Sequence, residues 1–182
     1  MTAAVALLRG VNVGGHRQVP MARLRAVVEG LGHGQVATYL NSGNVVFVAP
    51  GGAAPDRLAA GVSGALRDDL GFDVDVVVRT RAELDAVVAA NPFAAPGAED
   101  PRRVLVMFYA DDVDPDPAFD PSAYGDEVVT WARREAYVHY PDGVGRSRLT
   151  PDVLARGARQ AGTGRNWRTV LAVRDLLAAR AG

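Results

Sequence analysis

Short apolar runs alternate, over the first 80 residues, with segments whose apolar positions recur at helical spacing, and this alternation restricts the fold more than any other feature. Residues 3–8 form an apolar run that stops before Gly10, which predicts a buried strand. Met21, Leu24, Val27, Val28 and Leu31 make a helical stripe; Pro20 suits its first turn and Gly32 its end. Residues 36–40 and 44–48 read as strands joined by the turn cluster Asn41-Ser42-Gly43. Asp56 suits the cap of a second helix, which faces Leu58, Val62, Ala65, Leu66 and Leu70 inward and ends at Gly71. Residues 73–80 then turn apolar as Val76-Val77-Val78, a further strand. The order β-α-β-β-α-β predicts a ferredoxin-like unit, an antiparallel sheet covered on one face by its helices.

Residues 81–182 predict a second, smaller and less regular α/β unit. Thr80 and Glu83 have the spacing of a capping box before a helix bearing Leu84, Val87 and Val88, which Asn91-Pro92 ends. Residues 92–103, rich in Pro, Ala and Gly, read as loop, and 104–110 as a strand. A solvated connection follows at 111–121, with five aspartates and three prolines. Residues 127–131 and 136–140 read as a hairpin across Arg133-Arg134-Glu135, and Thr150-Pro151-Asp152 as a helix start. A last helix is predicted from about 165 to 179, opened by Thr163-Gly164-Arg165-Asn166 and burying Trp167, Val170, Leu171, Val173 and Leu177. Arg174 falls inside its stripe, where either its stem snorkels over the core or it pairs with a buried carboxylate. The whole is expected to be α+β, a subdomain at 1–80 packed against one at 81–182 without a flexible linker.

Composition removes several functional classes. The chain has no cysteine, which excludes disulfides, thiolate metal sites and a cysteine nucleophile. No apolar run approaches membrane-spanning length and the first ten residues do not read as a signal peptide, so a soluble cytoplasmic protein is expected. The net charge of −1 is not that of a polycation. Its distribution is uneven, however. Residues 1–55 carry four arginines against Glu29, 56–127 carry 16 acids against six arginines, and 142–182 carry eight arginines against three aspartates. Basic ends around an acidic middle suggest an anion-facing surface if the two ends meet.

Four segments concentrate polar and conformationally special residues. The first, Arg9 to Gly15, has the Gly-x4-Gly spacing of a phosphate loop, but His16-Arg17-Gln18 replaces the lysine and hydroxyl residue that a nucleotide triphosphatase needs. Its amides, with Gly14, Gly15, Arg9, Asn12 and Arg17, suit either an anion cradle or a tight strand-to-helix turn. In the second, Ser42 and Asn44 read first as residues capping their own hairpin, and otherwise as neutral groups beside the glycine loop. In the third, Arg146, Ser147 and Arg148 follow a glycine-rich turn, a composition suited to phosphate or carboxylate. His139, Asp142 and Ser147 supply the residue types of a hydrolase triad, without a spacing that implies its geometry. In the fourth, Arg165 and Asn166 are placed at the positive end of the last helix, with Trp167 in the core.

No metal site is expected, since the three histidines at 16, 33 and 139 form no His-Glu-x-x-His pattern. No dinucleotide fingerprint is present, and no cofactor is expected. The first and third strands offer only Phe47 as a base-stacking aromatic, which argues against RNA recognition by the sheet, although weaker contact through the arginines stays open.

Four motifs together resemble one bacterial family. They are Ala-Leu-Leu-Arg-Gly-Val-Asn-Val-Gly-Gly at 6–15, Thr-Tyr-Leu-Asn-Ser-Gly-Asn-Val-Val-Phe at 38–47, His-Tyr-Pro-Asp-Gly-x-Gly-Arg-Ser-Arg-Leu at 139–149, and Arg-Asn-Trp-x-Thr-Val at 165–170. Their order and coverage are similar to those of domain of unknown function 1697, in which lysine often follows the double glycine where this chain has His16-Arg17. The resemblance implies a two-part α+β protein with a ferredoxin-like first part, and no activity. The functional expectation is a small anionic ligand, phosphorylated compounds included, held in one cleft between the halves by Arg9, Asn12 and the glycines together with Arg146, Ser147, Arg148, Arg165 and Asn166. The competing expectation is that these motifs lock the two halves together without catalysis. Whether a reaction takes place, and the oligomeric state, do not follow from the sequence.

Overall fold

The structure is a computed structural model and describes residues 1–15 and 17–180. The chain runs β1 (Thr2–Leu8), α1 (Met21–Gly30), β2 (Gly34–Tyr39), β3 (Asn44–Ala49), α2 (Pro55–Leu70), β4 (Val76–Thr80) and α3 (Arg81–Ala89). It continues through α4 (Ala94–Glu99), β5 (Val104–Tyr109), β6 (Val128–Trp131), β7 (Glu135–His139), α5 (Pro151–Gly157), β8 (Gly162–Asn166) and α6 (Trp167–Ala178). The architecture is mixed α+β, with two four-stranded antiparallel sheets. Two units emerge: Met1–Ala86 with the described residues from Ala172 on, and Val87–Leu171. The division falls within α3 and within α6.

In the first unit the element order through β4 is the β-α-β-β-α-β read from the sequence, and the sheet runs β2-β3-β1-β4. Residue β1 Ala4 lies opposite both Phe47 and Thr80, and Ala6 opposite Val45 and Val78. Alternate residues therefore share a face: Ala4, Ala6, Leu8, Val45, Phe47 and Val78 pack with Leu24 and Val28 of α1 and Leu58, Val62 and Leu66 of α2. Burying these side chains is the main favourable term, at about 1.5–3 kcal/mol for each large one. Helix ends follow local chemistry. Gly32 (φ +80°) closes α1, its N–H donating to Glu29 O at 2.9 Å, and Gly71 (φ +79°) closes α2.

Two start signals differ from expectation, Pro20 by one position and Asp56 by two. Pro20 stands just before α1, where its carbonyl accepts the first helical bond from Leu24 N–H at 3.0 Å. Asp56 lies inside the first turn of α2 after Ala54 and Pro55, and no side chain caps that helix. The carboxylate suits the positive helix end instead. At α3 the capping box forms as read: Thr80 N–H donates to Glu83 Oε2 at 2.8 Å and Glu83 N–H to Thr80 Oγ1 at 3.2 Å.

In the second unit the sheet runs β6-β7-β5-β8. Leu105, Met107 and Tyr109 of β5, with Ala136 and Val138 of β7, pack on Leu149, Val153 and Leu154 around α5. Thr150 caps α5 through its Oγ1, which accepts from Val153 N–H at 3.4 Å. Segment 92–103, expected to be loop, contains α4 and a single turn at Pro101–Arg103. Its Ala and Gly content lets the chain pack closely: a Cβ on Gly97 would lie 2.8 Å from Trp167 Cδ1. Residues 162–166 are likewise a strand, β8, and not the opening of the last helix, which starts at Trp167. Gly162 is required there, since its Cβ would meet Tyr109 Cε1 at 2.6 Å. Arg174 pairs at 2.8 Å with Asp175, an exposed neighbour, and not with a buried carboxylate.

His33 supplies a pH-dependent term. Its ring stacks on Phe47 with centroids 4.7 Å apart, and its Nδ1 is shielded from water with no hydrogen-bond partner. Burial lowers its pKa from the ordinary 6.5, so the folded chain binds fewer protons here than the unfolded one. Stability from this group is full above pH 6.5 and is lost as the pH falls from there towards the lower folded value. Urea titrations between about pH 7.5 and 5.5 should show the midpoint falling with acid, and falling less in His33→Gln.

Candidate functional site

In the first unit, the sequence-selected residues lie where β1 and β3 enter their loops. Arg9 continues β1: its N–H donates to Asp75 O at 2.9 Å and its guanidinium pairs with Asp75 at 3.2 Å on the surface. Asn12 adopts φ +57°, a left-handed conformation asparagine tolerates better than most residues. Its Nδ2 donates to Val19 O at 3.0 Å and Asn41 O at 2.7 Å, and its Oδ1 accepts from Val19 N–H at 2.8 Å. One side chain thus ties the base of the glycine loop to the β2–β3 turn. Gly14 (φ +61°), Gly15 (φ +77°) and Arg17 (φ +49°) form the exposed tip; His16 lies outside the described residues.

The second motif is a brace. Asn44 is fully buried and its Nδ2 donates to Tyr39 O at 2.8 Å and Ser42 Oγ at 2.9 Å. Gly43 (φ +74°) has no room for a side chain, since a Cβ would lie 2.7 Å from both Leu8 Cβ and Val11 Cγ2. The self-capping hairpin expected of Ser42 and Asn44 is what these bonds form.

In the second unit the third motif divides its labour. Ser147 Oγ donates to Glu127 Oε1 and accepts from Leu149 N–H at 2.9 Å, so it bonds neither His139 nor Asp142. His139 instead stacks on Phe93, centroids 5.7 Å apart. The triad geometry is therefore absent from these side chains. Arg148 donates through Nη2 to Ala123 O at 3.3 Å and Tyr124 O at 3.1 Å. Arg146 is different. It is exposed, and among the described residues its guanidinium has no hydrogen-bond or ion-pair partner.

The fourth motif is split by β8. Arg165 is 6% exposed, and its Nη1 donates to Thr163 Oγ1 at 2.7 Å and Gly164 O at 2.8 Å. Burial lowers its pKa to about 10, which still leaves it charged at neutral pH. It does not sit at a helix end as expected, because residue 165 belongs to the strand. Asn166 does cap α6, accepting from Thr169 N–H at 2.9 Å. Trp167 is buried, as expected of a core residue.

Arg146 and Asn166 line the same hollow of about 570 Å³, together with Asp142, Asp100, Arg102 and Arg103. The last three escaped sequence reading because segment 92–103 looked structureless; the adjacent Arg102-Arg103 pair was the available signal. Arg102 Nε and Nη2 donate to the two oxygens of Asp100 at 2.9 and 3.0 Å, while Arg103 is 3.9 Å from it. Hydrogen bonds from Arg102 hold the Asp100 carboxyl at about 2, well below the ordinary carboxylate range. Asp100 is therefore a fixed anion that orients Arg102, leaving Arg103 and Arg146 as the less committed cations. Among the described residues no group of His, Asp or Glu side chains is arranged to hold a metal, and no helix is long and apolar enough to cross a membrane.

The sequence profile of the family described as Protein of unknown function (DUF1697) matches residues 1–137. The chain belongs to that family. Its fold is similar to that of the conserved bacterial protein SP0830 from Streptococcus pneumoniae, with a TM-score of 0.67 and 21% identity over 97% of this chain and 98% of the other. No curated protein sequence matches the chain. The structural neighbour supports the fold, and neither comparison brings an activity.

The bonds of Asn12 give a stability prediction. Asn12→Ala should lower the unfolding free energy by about 1–3 kcal/mol, because Val19 N–H and the two carbonyls lose a part-buried partner. Arg9→Ala removes a surface pair and should cost about 0–1 kcal/mol. Equilibrium urea denaturation of both variants checks the ranking.

Proposed function

We propose that this DUF1697 protein binds a small anionic, phosphate-bearing ligand at the hollow formed by Arg102, Arg103, Arg146 and Asn166 in the second unit. The observation that carries the reading is Arg146, an exposed guanidinium without a protein partner among the described residues, on the wall of a hollow that holds two further arginines. Guanidinium groups form paired, charge-assisted hydrogen bonds with phosphate and carboxylate oxygens. A volume of about 570 Å³ lies within the range of small-molecule sites. Gly143 and Gly145 on the same wall keep side chains off the approach to Arg146.

A second reading, that the motifs serve to hold structure, is favoured for a different set of residues. Asn12, Asn44, Arg148 and Arg165 spend donors on nearby backbone or hydroxyl oxygens, and Ser42 Oγ accepts from Asn44 Nδ2. Ligand binding is accordingly assigned to Arg103, Arg146 and Asn166, and bracing to the others.

Calorimetric titration with inorganic phosphate tests the reading. Arg146→Ala should raise Kd about tenfold, the loss of one charge-assisted contact, and Arg103→Ala should also weaken binding. Absence of phosphate binding by the parent protein, or equal binding by Arg146→Ala, would overturn it. A nucleic-acid ligand would instead show affinity for a mixed oligonucleotide that falls steeply with salt.

A further inference from the structure

We infer that the ligand is dipolar: an anion covalently joined to a donor-rich end bearing ammonium or hydroxyl groups, seated across two adjoining hollows of opposite charge. This inference rests on the anion-binding reading above and adds the chemistry of the rest of the ligand. The hollow already described carries three arginines against Asp100 and Asp142. A second hollow, of about 380 Å³, adjoins it and shares Asp142, Gly143 and Arg146. Its own charged residues are Asp126, Glu127 and Arg148, so with the shared pair it carries three acids against two arginines. One chamber is therefore net positive by one charge and its neighbour net negative by one.

The shared wall sharpens the asymmetry. Asp142 and Arg146 are both exposed, and among the described residues neither side chain has a hydrogen-bond or ion-pair partner, including the other. Opposite charges four positions apart that do not neutralise one another remain available to a third party. In the second hollow Arg148 is drawn away, its Nη2 held by Ala123 O and Tyr124 O, and Glu127 Oε1 is occupied by the Ser147 hydroxyl. Asp126 is likewise exposed and without a partner among the described residues, but Asp142 is the open acceptor on the wall shared by the two hollows, beside Arg146 as the donor left open to the ligand's anion. A simple anion would satisfy only Arg146 and would lie near an uncompensated carboxylate. A ligand that also brings donors satisfies both.

Three probes separate the possibilities: inorganic phosphate, O-phosphoethanolamine and glucose 6-phosphate, titrated calorimetrically into the full chain and into Asp142→Asn. Asp142→Asn keeps the side chain's shape, and an unchanged thermal unfolding midpoint verifies its fold. At least one organic phosphate should bind about threefold or more tighter than inorganic phosphate, a ratio matching one exposed charged contact. Preference for O-phosphoethanolamine identifies an ammonium end, and preference for glucose 6-phosphate a hydroxyl end. In Asp142→Asn the preference should vanish, while inorganic phosphate binds as well as before or slightly better. Equal affinity for all three probes, or a preference that survives in Asp142→Asn, overturns the dipolar ligand and leaves the anion site standing. Failure of every probe to bind removes the anion site and the dipolar ligand together.

Discussion

Each sheet depends on a central strand that must be apolar and hydrogen-bonded on both edges. β1 pairs with β3 and β4, and β5 with β7 and β8; from Ala4 to Leu8 and from Val104 to Tyr109 every residue is buried. Such strands leave no slack at their ends, because a buried backbone group without a partner is costly. The chain therefore leaves them through turns whose backbone and side chains complete the hydrogen bonding. Gly43 O accepts from Leu8 N–H at 2.8 Å, Asn44 serves the turn beside it, and Arg103 O accepts from Tyr140 N–H at 2.7 Å beyond the edge of β5.

This requirement explains why motifs that look chemical divide into two kinds. Asn44 and Arg165 lie within strands and Asn12 and Ser147 in turns, and each is spent on internal oxygens or amides. Arg146 and Asp142 project from a turn already completed by its own backbone: Gly143 N–H donates to Tyr140 O at 3.0 Å and Ser147 N–H to Val144 O at 3.3 Å. With the turn satisfied internally, these two charges are free of structural duty. The distinction comes from the bonding of neighbours and not from residue type.

Much of the first unit was legible because its signals are local. A helical stripe, a glycine at a left-handed stop and a Thr-x-x-Glu box each act over a few residues. The second unit hid two elements whose causes are distant. Gly162–Asn166 has no apolar alternation, and it is a strand only because β5 offers a free edge and Gly162 and Gly164 fit against Tyr109 and Met107. Segment 94–99 has Pro and Gly inside its helix, at odds with propensity, and is held by close packing on Trp167. The candidate site suffered accordingly. Arg146 and Asn166 were found from their motifs, whereas Arg102 and Arg103 became visible only once the turn at Pro101–Arg103 was folded beside them.

The bulge in β2 has a bearing on how the protein behaves in company. The pairing register shifts between Gly34 and Ala37, where Gln35 takes φ +51°, on the outermost strand of its sheet. Arg180 donates its Nε to Gln35 O at 2.7 Å and its Nη1 to Leu176 O at 2.6 Å. A straight border strand invites a neighbouring molecule to zip onto it, and here a kink and a borrowed cation obstruct that invitation. With Gln35 O already occupied by Arg180 and the register shifted beside it, this border offers an added strand one acceptor fewer and an interrupted ladder.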